Sequence, residues 1–395
     1  MSDTSLPTDG APASPVPLAV IVRQWTRLGC TGFGGPPTHI ALLRRMCVEE
    51  RHWIDAKEFE DAIATTNLLP GPASTQLAIF CAWRLRGRIG AALGGVCFIL
   101  PGLILILVLA SVFLASHPPG WVLGAAAGAG AAVPAVALHA ASGLVPGSWK
   151  RIGATRARHA RWVCYVLAGG VAAASIGADL VVVLVACGTM EIAIRYKGTP
   201  STGSLRAITP GLVAHGVLVG GLGALSWVAF KVGALSYGGG FVIVPLMQHD
   251  AVATYHWMTG AQFLNAVALG QVTPGPVVQT VAVVGFAAGG VGGGLIAALV
   301  AFAPSFLFVL LGGPRFAQIR ANRTVEAFLT GAGPAVVGAI AGSAVPLGLS
   351  FSHLWQLPVL GGALLWLLAA RRGVVSGLLV AGAVGVVVAV AGVPV

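Results

Sequence analysis

Long apolar runs separated by short polar clusters make up most of the chain. They lie at about Leu18–Phe33, Ile89–Leu114, Trp121–Ala141, Trp162–Ile176 and Asp179–Ile194. After a polar stretch from Arg195 to Thr209 they resume at Gly211–Leu246, Val291–Leu311, Phe328–Leu349, Leu354–Ala369 and Val374–Val393. Runs of this length and low charge are those of membrane helices, and they lack the alternation of a transmembrane barrel. The pattern predicts an all-α integral membrane protein.

One stretch interrupts the pattern twice. Asn67-Leu68-Leu69-Pro70-Gly71-Pro72-Ala73-Ser74-Thr75-Gln76 is matched by Gln271-Val272-Thr273-Pro274-Gly275-Pro276-Val277-Val278-Gln279-Thr280, at an offset of 204 residues. The same offset pairs His52-Trp53 with His256-Trp257, Gly34-Gly35 with Gly238-Gly239, and Arg27 with Lys231. Ahead of each Pro-Gly-Pro stands a helix-start signal, Asp55 with Glu58 and Thr259 with Gln262, in the spacing of a capping box. Helices should therefore begin near Ala56 and Gly260. Neither can run through Pro-Gly-Pro, because each proline removes a donor and clashes with the preceding turn. A new helix can start at once, since proline suits the first helical position.

Loop charge gives the two copies opposite signs. Arg44, Arg45, Arg51 and Lys57 mark one loop cytoplasmic, and its repeat partner at Gln248–Ala261 has no Lys or Arg. Arg84, Arg86 and Arg88 have no basic counterpart in Ala287–Gly294, and the five cations of Lys150–Arg161 have none around Ser350–His353. Conversely, Arg315, Arg320 and Arg323 answer the uncharged Ala115–Gly120, and Arg371 and Arg372 answer Gly177–Asp179. Such inversion predicts two inverted-topology repeats. The first Pro-Gly-Pro segment has basic clusters on both sides and only about 26 residues between them, too few for two spans of about 20 each. It should be a re-entrant hairpin with its tip inside the membrane. Each repeat then holds about five transmembrane helices plus a re-entrant helical hairpin broken at Pro-Gly-Pro, with both termini outside. The expected divisions are a disordered tail at 1–17, a first repeat at 18–195, a cytoplasmic linker at 196–210 and a second repeat at 211–395.

Composition agrees: 56% hydrophobic and 9% charged residues, with mean hydropathy +0.89. The 56 Gly and 24 Pro suit close helix contacts and broken helices in a bilayer. The net charge of +11 sits in short loop clusters, so no nucleic-acid partner is expected. The six cysteines show no metal spacing, and no metal or cofactor is expected. Residues 1–17 contain no Lys or Arg and no apolar core, so they are not a signal peptide.

Irregular backbone at membrane depth survives only where protein buries it or a cavity adjoins it. The helix that starts at each tip offers unpaired N–H groups and a positive dipole end, which together suit an anion. The expected donors are the amides of Ala73, Ser74 and Thr75 with the two hydroxyls, and those of Val277, Val278 and Gln279 with the Gln279 and Thr280 side chains. At constant offset Ser74 faces Val278 and Thr75 faces Gln279. Gly71 and Gly275 leave room for the ligand, and Asn67 and Gln271 flank the tips. Arg27 and Lys231, cations within apolar segments, are candidates for neutralising the anion. Gly34, Gly35, Pro70, Pro72, Gly238, Gly239, Gly240, Pro274 and Pro276 form the structural motif. The alternative for the cations is snorkelling to an interface, and for the tips a plain kink. Asp179, Glu191 and Glu326 lie near loops without acidic repeat partners.

Phe33-Gly34-Gly35-Pro36, His52-Trp53, Pro70-Gly71-Pro72, Tyr237-Gly238-Gly239-Gly240 and Thr273-Pro274-Gly275-Pro276 resemble the chromate ion transporter family in its long, two-domain form. The resemblance covers about residues 18–195 and 211–393. It implies a bacterial inner-membrane secondary transporter, not an enzyme, that exports chromate and confers resistance, with sulfate as the isosteric competitor. A sulfate or other oxyanion carrier of the same architecture stays open, as does a membrane-embedded enzyme acting on a lipid phosphate. The expected partners are the oxyanion and the bilayer, and a homodimer stays open.

Overall fold

The computed structural model describes residues 16–67, 71–115, 117–152, 155–176, 180–196, 221–236, 241–312 and 322–395. Residues 1–15 of the expected tail, 197–210 of the linker, and the motif residues Pro70, Gly238, Gly239 and Gly240 lie outside them. The described residues form an all-α, multi-pass membrane protein. In the first half run α1 (Leu18–Thr31), α2 (Pro36–Arg44), α3 (Ala56–Thr66), α4 (Ala73–Phe113), α5 (Gly120–Arg151), α6 (Arg156–Val171) and α7 (Leu180–Tyr196). In the second run α8 (Leu222–Leu235), α9 (Ile243–Gln248), α10 (Gly260–Val272), α11 (Thr280–Gly312), α12 (Arg323–Leu349), α13 (Gln356–Leu364) and α14 (Val374–Val390). Helices α4, α5, α12, and α11 with the short 3₁₀ turn before it, are each long and apolar enough to cross a membrane; α8, α14 and α13 with its C-terminal extension are shorter apolar helices.

The helix starts fall where the capping signals place them, with one difference. Thr259 and Gln262 form the full reciprocal box. Asp55 accepts from the Lys57 and Glu58 amides, but the Glu58 carboxylate turns away to pair with Arg84 of α4. That ion pair brings the start of α3 beside the end of the first arm of α4. Just beyond it α4 is broken at Arg86 and Gly87, the latter at φ 59°, where a β-carbon would meet nothing within 4 Å; conformation alone asks for glycine there. The break divides α4 at the basic cluster that the sequence marks as a loop. Gly289 and Gly290 (φ 62°) break α11 in the same way.

Other backbone features also recur. Arg45–Glu50 and His249–Thr254 are wide π-type turns, each ended by a histidine in the left-handed region, His52 (φ 50°) and His256 (φ 52°). The next tryptophan amide closes each turn: Trp53 N–H donates to the Cys47 carbonyl at 2.8 Å, and Trp257 N–H to that of Ala251 at 2.9 Å. The paired His-Trp motif is thus a chain reversal, with both histidines exposed.

The two halves interlock. α5 packs along α14 and beside α10 and α13, while α12 packs along α6 and α7. Small residues permit the close approach: a β-carbon on Gly385 would lie 1.9 Å from the Gly124 carbonyl oxygen, and one on Gly338 would lie 1.8 Å from that of Val166. Such contacts supply the dispersion energy that holds helices together where lipid removes the hydrophobic drive. At one end of this assembly Glu191 of α7, 3% exposed, takes a bidentate contact from Arg161 (3.0 and 3.3 Å), one from Arg195 (3.3 Å) and the Tyr165 hydroxyl (3.2 Å). Arg195 also reaches Glu326 of α12 at 3.6 Å. Glu191 is therefore the centre of a buried ion network and not a loop residue.

Candidate functional site

The described residues of both tips, Gly71 and Pro72 in the first and Thr273 to Pro276 in the second, are buried. At the first, Asn67 ends α3, Gly71 takes φ 118°, and Pro72 precedes the first turn of α4. At the second, Thr273 ends α10, Gly275 takes φ 94°, and Val277–Gln279 form the 3₁₀ turn that leads into α11. Each tip rests on the long helix of the other half at its internal proline. A β-carbon on Gly102, after Pro101 of α4, would lie 2.1 Å from the Pro274 carbonyl oxygen; one on Gly71 would lie 3.5 Å from Ser305 Oγ, after Pro304 of α11.

The register between copies shifts inside the tip. Before it, the offset is 204. After it, Gly87 answers Gly290 and Pro101 answers Pro304, an offset of 203. Gln279 is therefore the counterpart of Gln76, and not of Thr75 as the constant offset implies. The glutamines occupy like places: each side-chain amide stands against the tip glycine, Gly71 or Gly275. Gln279 is occupied in holding its own tip. Its Nε2 donates to the Pro274 carbonyl at 2.7 Å and to Thr273 Oγ1 at 3.1 Å. A carbonyl only accepts, so this fixes the amide orientation and leaves Oε1 free, an acceptor unsuited to an anion.

The amides also divide. Thr75 N–H donates to the Pro72 carbonyl at 2.9 Å and Gln279 N–H to that of Pro276 at 3.0 Å. Neither is the free donor that the helix-start argument makes it. The amides of Ala73, Ser74, Val277 and Val278 find no acceptor among the described residues.

A further residue joins the tips. His39 of α2, fully buried, has Nε2 at 2.9 Å from the Gly32 carbonyl and Nδ1 at 3.3 Å from Ser74 Oγ. The same Gly32 carbonyl accepts from Gly275 N–H at 3.0 Å. Ser74, His39, Gly32 and Gly275 therefore form one connected path from the first tip to the second. Gly35, in the turn before α2, lies against Val277, its β-carbon position 3.7 Å from that side chain. Repeat matching passes over His39 because position 243 holds isoleucine.

Around the tips, buried side chains are left without hydrogen bonds: Thr75 Oγ1, Ser236 Oγ, Gln271 Nε2, Ser305 Oγ and Gln279 Oε1. Ser236 ends α8 as Gly32 ends α1. An unmade buried hydrogen bond costs about 1–3 kcal/mol, so such a cluster needs an explanation. Four of the five groups can donate. Asn67 borders a cavity of about 210 Å³ between α5 and α12, beside Ser148, Arg151 and Thr330.

The two candidate cations are placed differently from each other. Arg27 stands on the exposed side of α1, whose buried side is Ile21, Trp25, Leu28 and Gly29. Lys231 pairs with Asp250 at 2.5 Å, the two side chains 19% and 12% exposed. Asp250 was not foreseen, since the matching position holds Met46. Breaking a buried pair strands a charge, at about 3–5 kcal/mol. Lys231→Ala is expected to lower the melting temperature strongly, Lys231→Ala with Asp250→Ala to recover most of the loss, and Arg27→Ala to change it little. Thermal unfolding of the purified variants measures this.

Ser74 beside His39 has the composition of a nucleophile and its base. The second ring nitrogen, however, meets a backbone carbonyl, and among the described residues no carboxylate or arginine is hydrogen-bonded to His39 or Ser74. Among the described residues no group of His, Cys, Asp and Glu is placed to hold a metal.

The family model described as "Chromate transporter" matches residues 19–192 and 223–393. The chain is 31% identical over 343 residues to the chromate transport protein of Cupriavidus metallidurans, covering 84% of this chain and 82% of that one. It is 30% identical over 371 residues to the chromate transport protein of Pseudomonas aeruginosa (87% and 84%), and 29% identical over 322 residues to an uncharacterized transporter of Methanocaldococcus jannaschii (76% and 77%). No solved structure matches. With both halves matched and full-length relatives at this identity, the chain belongs to the chromate transporter family.

Proposed function

We propose that this protein exports chromate across the bacterial inner membrane as a secondary transporter, and holds the anion between its two Pro-Gly-Pro tips. The observation that carries the site is a set of buried donors without hydrogen-bond partners among the described residues: Thr75 and Gln271 on the segments flanking the tips, Ser305 facing the first tip, and Ser236 at the end of α8. The amides of Ala73, Ser74, Val277 and Val278, without an acceptor among the described residues, add the positive ends of two helices. The site is neutral, built from dipoles, which lets a dianion leave as well as enter. Energetics favour the outward direction: a dianion leaving a cell that is negative inside gains about 2.3 kcal/mol per charge per 100 mV. The relatives named for chromate transport point to the same ion. Counterflow of labelled chromate in proteoliposomes tests the reading. Uptake into vesicles with inside-positive potential is expected, with weaker competition by sulfate; no flux above protein-free vesicles would overturn it, and equal or better sulfate flux would make the protein a general oxyanion carrier.

The membrane plan is part of the proposal: two inverted repeats, 18–195 and 211–395, each with about five crossings and one re-entrant hairpin. The Glu58–Arg84 pair and the Arg86–Gly87 break support the first hairpin, and the opposed loop charges support the inversion. In a cysteine-free background, single cysteines at positions 86 and 290 are expected to react with impermeant reagent from opposite sides, 86 from the cytoplasm. Labelling of both from one side would remove the inversion.

A further inference from the structure

We propose that His39 takes up a proton together with the anion and is the residue that links the two. The inference rests on the tip site proposed above and adds to it. The Gly32 carbonyl can only accept, so Nε2 of His39 carries a hydrogen in every state. In the neutral ring Nδ1 is then an acceptor, and the Ser74 hydroxyl spends its proton on it across 3.3 Å. Ser74 in that state has no proton for a ligand. When Nδ1 is protonated, the ring donates to Ser74 Oγ, and the hydroxyl hydrogen turns away from the ring. One proton thus converts Ser74 from a donor to the ring into a donor to the anion and adds a positive charge at the tips. No covalent bond is made or broken other than N–H.

The surroundings make the anion the counter-charge. Facing the ring are Gly32 of α1 and Ser74 and Phe98 of α4, the phenyl edge-on at 5.1 Å, none of them titratable. The titratable groups on the elements packed around it are Arg23, Arg27 and Cys30 on α1, Arg44 on α2 itself, Arg45, Cys47, Glu49 and Glu50 on the π-type turn that continues α2, and Cys81, Arg84, Arg86, Arg88 and Cys97 on α4; the second tip and α11 carry none. None is hydrogen-bonded to the ring, and the only carboxylates among them, Glu49 and Glu50, are exposed, Glu50 paired with Arg45. Among the described residues a buried imidazolium there has no charged partner, and an arriving anion supplies one. Anion and proton therefore stabilise each other reciprocally. The carried species has one net negative charge, so the membrane potential still favours its exit.

The test uses selenate, a tetrahedral dianion that keeps its charge through the range in which histidine titrates, where chromate does not. Binding to the purified full-length protein is measured by calorimetry between about pH 5 and pH 8. Wild-type affinity is expected to fall about tenfold as pH rises, with proton uptake on binding seen as a buffer-dependent heat. His39→Gln keeps a donor for Gly32 and an acceptor for Ser74 without a titrating group. It is expected to bind with the weaker, high-pH affinity at every pH and without proton uptake. A flat wild-type profile without proton uptake overturns the role of His39 while leaving the anion site standing; so does an unchanged slope in His39→Gln. Absence of selenate and chromate binding at every pH overturns the site and this inference with it. Should His39→Gln not fold, proton uptake by the wild-type protein still decides, since its absence is incompatible with the proposal.

Discussion

Gly71→Val and Gly275→Val are expected to abolish chromate binding, while Ser74→Ala and Thr75→Ala each weaken it by only about 0.5–1.5 kcal/mol, the worth of one neutral hydrogen bond. Both glycines stand at positive φ, 118° and 94°, where a β-branched residue is strained. At Gly71 a β-carbon would also lie 2.4 Å from Gln76 Nε2 and face Ser305 Oγ, an unpartnered group of the site. At Gly275 it would press on the Gln279 amide, 3.4 Å away, which holds the tip to Thr273 and Pro274. The side chain thus displaces the ligand and loosens the loop that presents the amides. Ligand-induced thermal shift and direct binding, measured beside expression level and unliganded melting temperature, separate loss of the site from loss of the fold. Well-folded glycine variants that bind chromate normally, beside a Ser74→Ala variant that does not, would move the site away from the tips.

Glu191→Ala is expected to be strongly destabilising. It leaves the Arg161 and Arg195 guanidinium groups and the Tyr165 hydroxyl without their common acceptor, on side chains that are mostly covered. Removing one partner of a buried ion network costs about 3–5 kcal/mol. Glu191→Gln keeps the shape and one acceptor oxygen, and should recover part of that. Because the network joins α6 and α7 to α12, the loss should appear as separation of the two halves. Limited proteolysis at their junction and the melting temperature report it; selenate affinity in the surviving folded fraction should be unchanged. An unaltered melting temperature in Glu191→Ala would show that the network contributes nothing net.

The apolar runs, the inverted loop charges and the doubled Pro-Gly-Pro were readable because each follows from a rule local in sequence. A span needs about 20 apolar residues, a proline stops a helix where it stands, and a capping residue acts within three positions. Asp55 and Thr259 therefore located α3 and α10, and the cluster Arg84–Arg88 located the break in α4. Repeat matching raised the tips above chance by showing them twice. The same method misassigned Gln279, because a one-residue shift within the tip is invisible at constant offset. It also passed over whatever occurs once: His39, opposite Ile243, and Asp250, opposite Met46. Which side a cation faces and what it meets depend on residues distant in sequence. Arg27 proved to stand outside and Lys231 to be paired, although their segments read alike. The joining of Ser74, His39, Gly32 and Gly275 into one path likewise required α1, α2, α4 and the second tip to converge. The sequence by itself determined where helices start, break and restart, since these are set by the local balance of apolar length, backbone donors and charge. Only the tertiary structure decided which donors stay unpaired at the centre, because a hydrogen bond is satisfied or left open by its neighbours in space.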